Sequence, residues 1–364
     1  LARQIAMFAA GTTNSYIAVA ARFGMHRSVA IIVLVGATLF LGSAHARAAC
    51  NLKTVDVPVK MDGLRPLVSV RVDGQEARFL LDSGAFYNSI NAKLATKQKL
   101  KPAPVLTTGS LFPTAGATRM TGAAGADRTA AVVIAPSFEF AGQAYRNVPF
   151  VSLTDFGNAD GILGQNYLRE VDVEYDLGHG MLRLVQPQGC GGGNMAYWVK
   201  PGMSYSIMPI EVIGNTVNAH TIGQITINGV KMRAYFDTGA ATSFITEHAA
   251  DRAGVKTTDP GVTQVGSSRG IDQRDMKTWV AHFSSIGIGD EEIKNTELRI
   301  AQSEAFDFDV LVGADFFLSH HIYVANSQHK LYFTYGGGQV FNVRSSVTSA
   351  ESKPSGGQGA KPAE

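Results

Sequence analysis

Two aspartates carry the chemical interest of this chain. Asp82 stands in the stretch RFLLDSGAFYNSI (78–90) and Asp237 in RAYFDTGAATSFI (233–245). In both, a short apolar run delivers one carboxylate into a turn made by a small hydroxyl residue, Ser83 or Thr238, and a glycine, Gly84 or Gly239. A lone Asp at the end of a buried strand is costly, because an unpaired charge loses its hydration there. Two such residues solve the problem together if they meet and share one proton. A pair of that kind can activate a water, the ionised member acting as general base and the protonated member as general acid. A single Asp-Ser/Thr-Gly triplet is weak, because it also describes an ordinary turn in which Gly supplies positive φ. Here the triplet is doubled, and its surroundings are doubled with it.

The elements that must position the two acids are legible around them. Val72-Asp73-Gly74 precedes Asp82 at the same spacing at which Ile227-Asn228-Gly229 precedes Asp237. Asp-Gly and Asn-Gly between apolar runs are the strongest short hairpin signals. Both stretches therefore read as strand, tight turn, strand, acid. Val57-Pro58-Val59 is echoed by Met208-Pro209-Ile210, so the repeat starts before the hairpin. Downstream, Asp160-Gly161-Ile162-Leu163-Gly164-Gln165-Asn166-Tyr167-Leu168 matches Asp309-Val310-Leu311-Val312-Gly313-Ala314-Asp315-Phe316-Phe317. Each has an apolar pair, a glycine and a short helix-compatible segment.

In this order, the landmarks resemble the aspartic proteases of the retropepsin and pepsin type over nearly all of Val57–Tyr335. The resemblance implies an all-β, bilobal acid-protease fold, with two pseudo-symmetric retropepsin-like barrel lobes and short helices. It implies an endopeptidase acting on extended peptide or protein segments, with Asp82 and Asp237 catalytic and with no metal or cofactor. In such a fold the Ser83 and Thr238 hydroxyls hydrogen-bond across the lobe interface. Gly84 and Gly239 let the backbone approach the carboxylates and donate N–H groups to them. Flaps over the site would fall at Leu111–Arg128, with Gly122 and Gly125 near its end, and at Val262–Met276, with Gly266 and Gly270 at its centre. Ala85 and Ala240 resemble the retropepsin branch; pepsin-like enzymes usually carry Ser or Thr there. A missing hydroxyl donor leaves the dyad's pKa values higher, so activity is expected towards mildly acidic or near-neutral pH.

The rest of the chain sets bounds. Its 364 residues are 45% hydrophobic and 17% charged, ample for two cored lobes. Thirty-nine glycines and short alternating apolar runs favour β structure rich in turns. A formal net charge of +2 is too small to suggest nucleic acid. Leu1–Gly24 does not look like a natural start. Met25-His26-Arg27, the apolar run Val29–Leu41 and the small residues up to Ala46 or Ala48 read as a secretory signal peptide. An uncleaved membrane anchor is the alternative. The expected organisation is 1–48 upstream segment and signal peptide, 52–186 first lobe, 187–203 linker, 204–343 second lobe and 344–364 disordered tail. The mature protein is then periplasmic or secreted, without stable membrane insertion, and a monomer whose lobes form an intrachain pseudo-dimer. Cys50 and Cys190 are the only cysteines, and in an oxidising compartment an even pair suggests a disulfide.

Other chemistry weighs little. His320-His321 lacks partners at metal-ligand spacing and reads as a polar turn between helix and strand. His179 reads the same way. Asp172, Glu174 and Asp176 alternate along a strand, which suggests its solvent face. Two rival functions remain: a non-catalytic peptide-binding or scaffold module on the same fold, and lobes that pair with their twins in a second chain. Retention of both acids and both hydroxyls argues against the first, and a long linker that allows docking within one chain argues against the second.

Overall fold

The two hairpins form as their turns dictate. Asp73 and Gly74 have φ of 47° and 76°, and Asn228 and Gly229 have φ of 50° and 79°. Positive φ at both central residues marks the type I′ turn, whose twist matches that of the strands it joins. The turns pair Arg65–Val72 with Gln75–Leu81 and Ile222–Ile227 with Val230–Phe236. The structure, a computed structural model, describes residues 50–103, 117–121, 127–154, 156–211, 220–269, 275–302, 307–341 and 343. The proposed signal peptide and tail lie outside these residues. No described helix is long and apolar enough to cross a membrane.

Each acid-bearing strand has a short parallel neighbour. Gly161–Leu163 runs beside Gln75–Leu81, and Val310–Val312 beside Val230–Phe236. Both crossing strands are wholly buried, and each leads into a short helix, Gln165–Leu168 or Ala314–Ser319. The crossing strands pair antiparallel with Ser89–Asn91 and Phe244–Thr246. These in turn run parallel to Gln143–Leu153 and Glu291–Ala301. The two halves thus build the same sheet in the same order, and the fold is all-β and bilobal. Aromatic side chains fill the first lobe. Phe79 meets Phe138 and Phe150 at 6.0 and 5.9 Å between ring centroids, and all three are buried. Each contributes about 1.5–3 kcal/mol through burial.

A further sheet joins the lobes. Its strand order is Ser206–Pro209, Lys330–Tyr335, His320–Ala325, Asp172–Asp176, Met181–Gln188 and Asn51–Asp62. The seam between lobes is the antiparallel pair of Asp172–Asp176 with His320–Ala325, where Val173 faces Val324. The expectation that Asp172, Glu174 and Asp176 mark a solvent face is wrong for the first two. Asp172 and Glu174 are each 1% exposed, because their strand is interior to this sheet and its polar face is covered. Asp172 accepts bonds from Ser327 N and Oγ at 2.8 Å and from the Tyr323 hydroxyl at 3.0 Å. Burial raises its pKa against these bonds. Glu174 takes the Tyr197 hydroxyl, His321 Nε2 at 2.7 Å and Arg183 Nη1 at 3.5 Å.

His320-His321 is likewise no polar turn. Both residues open a strand, and His320 is 2% exposed. Its Nδ1 donates to the Phe316 carbonyl at 2.8 Å, and its ring stacks on Phe316. His321 stacks on Trp198 with centroids 4.4 Å apart. His179 ends a single 3-10 helical turn, Leu177–His179, and is exposed, with Nδ1 2.7 Å from Asp176 Oδ1. Within 187–203 the chain is packed rather than loose. Met195 and Ala196 are buried, and Trp198 Nε1 donates to Thr334 Oγ1 at 3.0 Å. Cys50 and Cys190 are joined in a disulfide across 140 residues of sequence. In the chain-entropy model such a loop contributes on the order of 5 kcal/mol.

Candidate active site

Asp82 and Asp237 each follow the last residue of an acid-bearing strand. The Asp82 N–H donates to the Leu163 carbonyl at 3.0 Å, and the Asp237 N–H to that of Val312 at 2.8 Å. The crossing strand therefore fixes the backbone of each acid. The loops that follow are pinned alike. Gly164 N donates to Asn88 Oδ1 and Gly313 N to Ser243 Oγ, both at 2.8 Å. Asn88 N reaches Asn166 Oδ1 at 2.9 Å, while Ser243 Oγ gives its hydrogen to Asp315 Oδ1 at 2.6 Å. These four residues escaped sequence reasoning. Their signal was present: Asn88 and Ser243 stand six residues after each acid, and Asn166 and Asp315 two after each crossing glycine.

The lobes meet through the small hydroxyl residues. Ser83 N donates to Thr238 Oγ1 at 3.0 Å, and Thr238 N donates to Ser83 Oγ at 3.0 Å. Each hydroxyl then donates across the interface, Ser83 to the Phe236 carbonyl at 2.8 Å and Thr238 to that of Leu81 at 2.7 Å. Both residues are buried, at 2% and 0% exposure. The only Cβ-free residue type fits beside them. A Cβ on Gly84 would land on the Asp237 carboxyl, and one on Gly239 on that of Asp82.

That close approach brings the two carboxyls together. Gly84 N lies 3.0 Å from Asp82 Oδ1 and 3.1 Å from Asp237 Oδ1, so one N–H serves both acids. Ala85 N adds a bond to Asp82 Oδ1 at 2.7 Å, and Gly239 N one to Asp237 Oδ1 at 2.8 Å. Burial pushes Asp82 well above the ordinary carboxylate range, and repulsion from Asp237 pushes it further; the Ala85 and Gly84 amides pull the other way. Burial also raises Asp237, against the Gly239 amide, its bond with Asp82 and the nearby His220. Both acids keep partial contact with solvent. The arrangement can hold one proton between two oxygens and orient a water against them. Among the described residues no cluster of His, Cys, Asp and Glu is placed to hold a metal.

Of the flap candidates, Gly122, Gly125 and Gly270 lie outside the described residues. The strands that bracket them are described: Ala117–Thr121 pairs with Asp127–Phe140, and Thr263–Arg269 with Asp275–Ile288. Gly266 sits at a register shift in the latter pair with φ of 110°. One cross-lobe contact has no counterpart in the repeat. Gln165 Nε2 donates to the Ser83 carbonyl at 2.8 Å and reaches Thr221 Oγ1 at 3.4 Å. The corresponding position in the second lobe is Ala314.

The reciprocal hydroxyl bonds make a stability test. Thr238→Val keeps the shape but strands the Ser83 N–H and the Leu81 carbonyl in the interior, at a cost of about 1–3 kcal/mol for each. Ser83→Ala should do the same to Thr238 N and the Phe236 carbonyl. Urea unfolding of both variants should show these losses, each variant stranding its own pair of backbone groups. Losses under about 0.5 kcal/mol, within the range of ordinary surface changes, would contradict a cross-lobe lock.

A family model described as aspartyl protease matches residues 68–167, and one described as gag-polyprotein putative aspartyl protease matches residues 223–319. No curated protein matches the chain. Each match spans one acid, its hairpin and its crossing strand, so the chain is a tandem of two retropepsin-like aspartyl protease domains.

Proposed function

We propose that the chain is an aspartic endopeptidase that cleaves extended peptide or protein segments with a water held between Asp82 and Asp237. The observation that carries this reading is the single Gly84 N–H shared by the two carboxylates. The ionised member takes a proton from water as its oxygen bonds to the peptide carbonyl carbon. The protonated member gives its proton to the carbonyl oxygen. The resulting gem-diol collapses, the C–N bond breaks, and the amine nitrogen leaves with a proton returned by the dyad. No covalent acyl-enzyme forms. The strand pairs Ala117–Thr121 with Asp127–Phe140 and Thr263–Arg269 with Asp275–Ile288 are the segments we assign to flaps, holding the peptide by strand-like backbone bonds. Disulfides persist in oxidising compartments, so Cys50–Cys190 supports an exported protein, periplasmic or secreted.

Cleavage of a denatured protein by the full chain tests the reading. Asp82→Asn and Asp237→Asn should each cut the rate at least about a hundredfold, the smallest loss expected for a general acid–base group. Pepstatin should inhibit the wild type. A variant that stays active would overturn the shared dyad, and an inactive wild type would favour a binding module. Stability should move the other way. The folded protein holds a proton on the raised Asp82 that the unfolded chain has lost, so stability falls as pH rises from the unfolded value, about 4, through the folded one. Asp82→Asn should therefore melt at or above the wild-type temperature at neutral pH.

The rate should be bell-shaped in pH, because activity needs one proton on the pair, neither two nor none. Raised carboxyls put the basic limb above the ordinary carboxylate range. Ala85→Ser with Ala240→Thr adds hydroxyl donors to the ionised pair and should move the bell to lower pH. A kcat/KM profile that stays put or rises would show that burial alone sets it.

A further inference from the structure

The pseudo-twofold symmetry of the site is broken by the residue opposite each acid. In the second lobe Ile222 pairs with Tyr235, and Phe236 N donates to the Thr221 carbonyl at 3.0 Å. One step further along that antiparallel register places His220 opposite Asp237. In the first lobe the register that pairs Leu67 with Leu80 places Arg65 opposite Asp82. Directly opposed residues share a face of the sheet. The two basic residues are used differently. Arg65 Nη2 is given to the Phe156 carbonyl at 2.9 Å. His220 packs its ring on Tyr235, with centroids 5.0 Å apart, and its Nδ1 is buried without a hydrogen-bond partner among the described residues. A polar atom left in that state is costly unless another role retains it. The neighbouring Thr221 is the residue whose hydroxyl Gln165 reaches from the first lobe at 3.4 Å.

We propose that His220 is a positioning residue for the dyad, making Asp237 the ionised member that takes the proton from water and Asp82 the member that keeps the shared proton. This rests on the dyad reading above. The ionisable groups acting on His220 are Asp237, Tyr235 and Arg233 from the acid-bearing strand and its end, and Asp307 from the turn before the crossing strand. Burial is the main influence and holds the imidazole below its ordinary value; Asp237 and Asp307 oppose this and Arg233 adds to it. Below its lowered midpoint the ring carries a charge, and that charge favours carboxylate at Asp237 over carboxylate at Asp82. The acid limb of the pH profile reports protonation of that carboxylate. Removing the charge lets Asp237 take its proton at higher pH, so the limb moves up.

The test is a carbon-13 NMR titration of the full chain labelled at the aspartate carboxyls, run beside the pH profile of kcat/KM. Asp82 and Asp237 signals are assigned by their loss in the Asn variants. In the wild type Asp237 should titrate below Asp82. His220→Phe keeps the ring on Tyr235 and loses the charge; the Asp237 midpoint and the acid limb should both rise by about one pH unit. His220→Lys loses the ring and keeps a cation; both should stay near wild type. If the Phe variant does not fold, His220→Gln gives the same neutral comparison. Wild-type midpoints in the neutral variant would overturn the proposal, as would equal shifts in the neutral and Lys variants, the result of a merely structural role. If the wild type cleaves nothing, the endopeptidase reading falls, and the NMR midpoints alone still decide the role of His220.

Discussion

Two half-buried carboxylates close enough to share the Gly84 N–H do not both stay charged easily. The rest of the structure holds that unfavourable pair in place. Neither lobe can do so alone, since each supplies one acid and the glycine against which the other acid rests. The buried bonds between Ser83 and Thr238 lock the two turns in register. Behind them, the crossing strands bind the amide of each acid. Further out, the interlobe sheet reduces the freedom of one lobe to part from the other, and the disulfide staples the paired ends of Asn51–Asp62 and Met181–Gln188 within it. Strain concentrated at one point and offset by ordered structure around it is typical of a reactive site.

The repeat is faithful where it builds the acid loops and departs where the halves must cooperate. Asn88 with Asn166 and Ser243 with Asp315 do the same work with different chemistry. Gln165 reaches across the interface, whereas Ala314 has no polar side chain to offer. A symmetric pair of acids has no reason to divide base and acid roles between its members. In the proposal made above, the opposite residues of unequal chemistry, Arg65 and His220, supply one.

Much of this was readable in the residues because local chemistry decided it. Asp73-Gly74 and Asn228-Gly229 demand a particular turn, the turn sets the register, and the register delivers the acids. The cysteine pair was equally plain. The sequence could not show which face of Asp172–Asp176 is wet, because alternation separates two faces without saying what covers either. The cover comes from Tyr197, His321, Tyr323 and Ser327, the last three about 150 residues away in the chain. His320 was misread for the same reason: its burial depends on Phe316 and Glu291. Its length and place between the repeats mark 187–203 as a linker, and the apolar surface of Met195, Ala196 and Trp198 docks it against the sheet.

The claim on which all this turns is that Asp82 and Asp237 hold one proton between them. Infrared spectroscopy of the full chain with isotope-labelled aspartate separates protonated from ionised carboxyls by their carbonyl stretch. At about pH 6, where an ordinary Asp is ionised, the wild type should show one protonated carboxyl whose band is lost in Asp82→Asn and shifts or weakens in Asp237→Asn, where its partner is gone. No such band, or one left unchanged in either variant, would mean that the two aspartates titrate as separate groups and that the dyad does not exist.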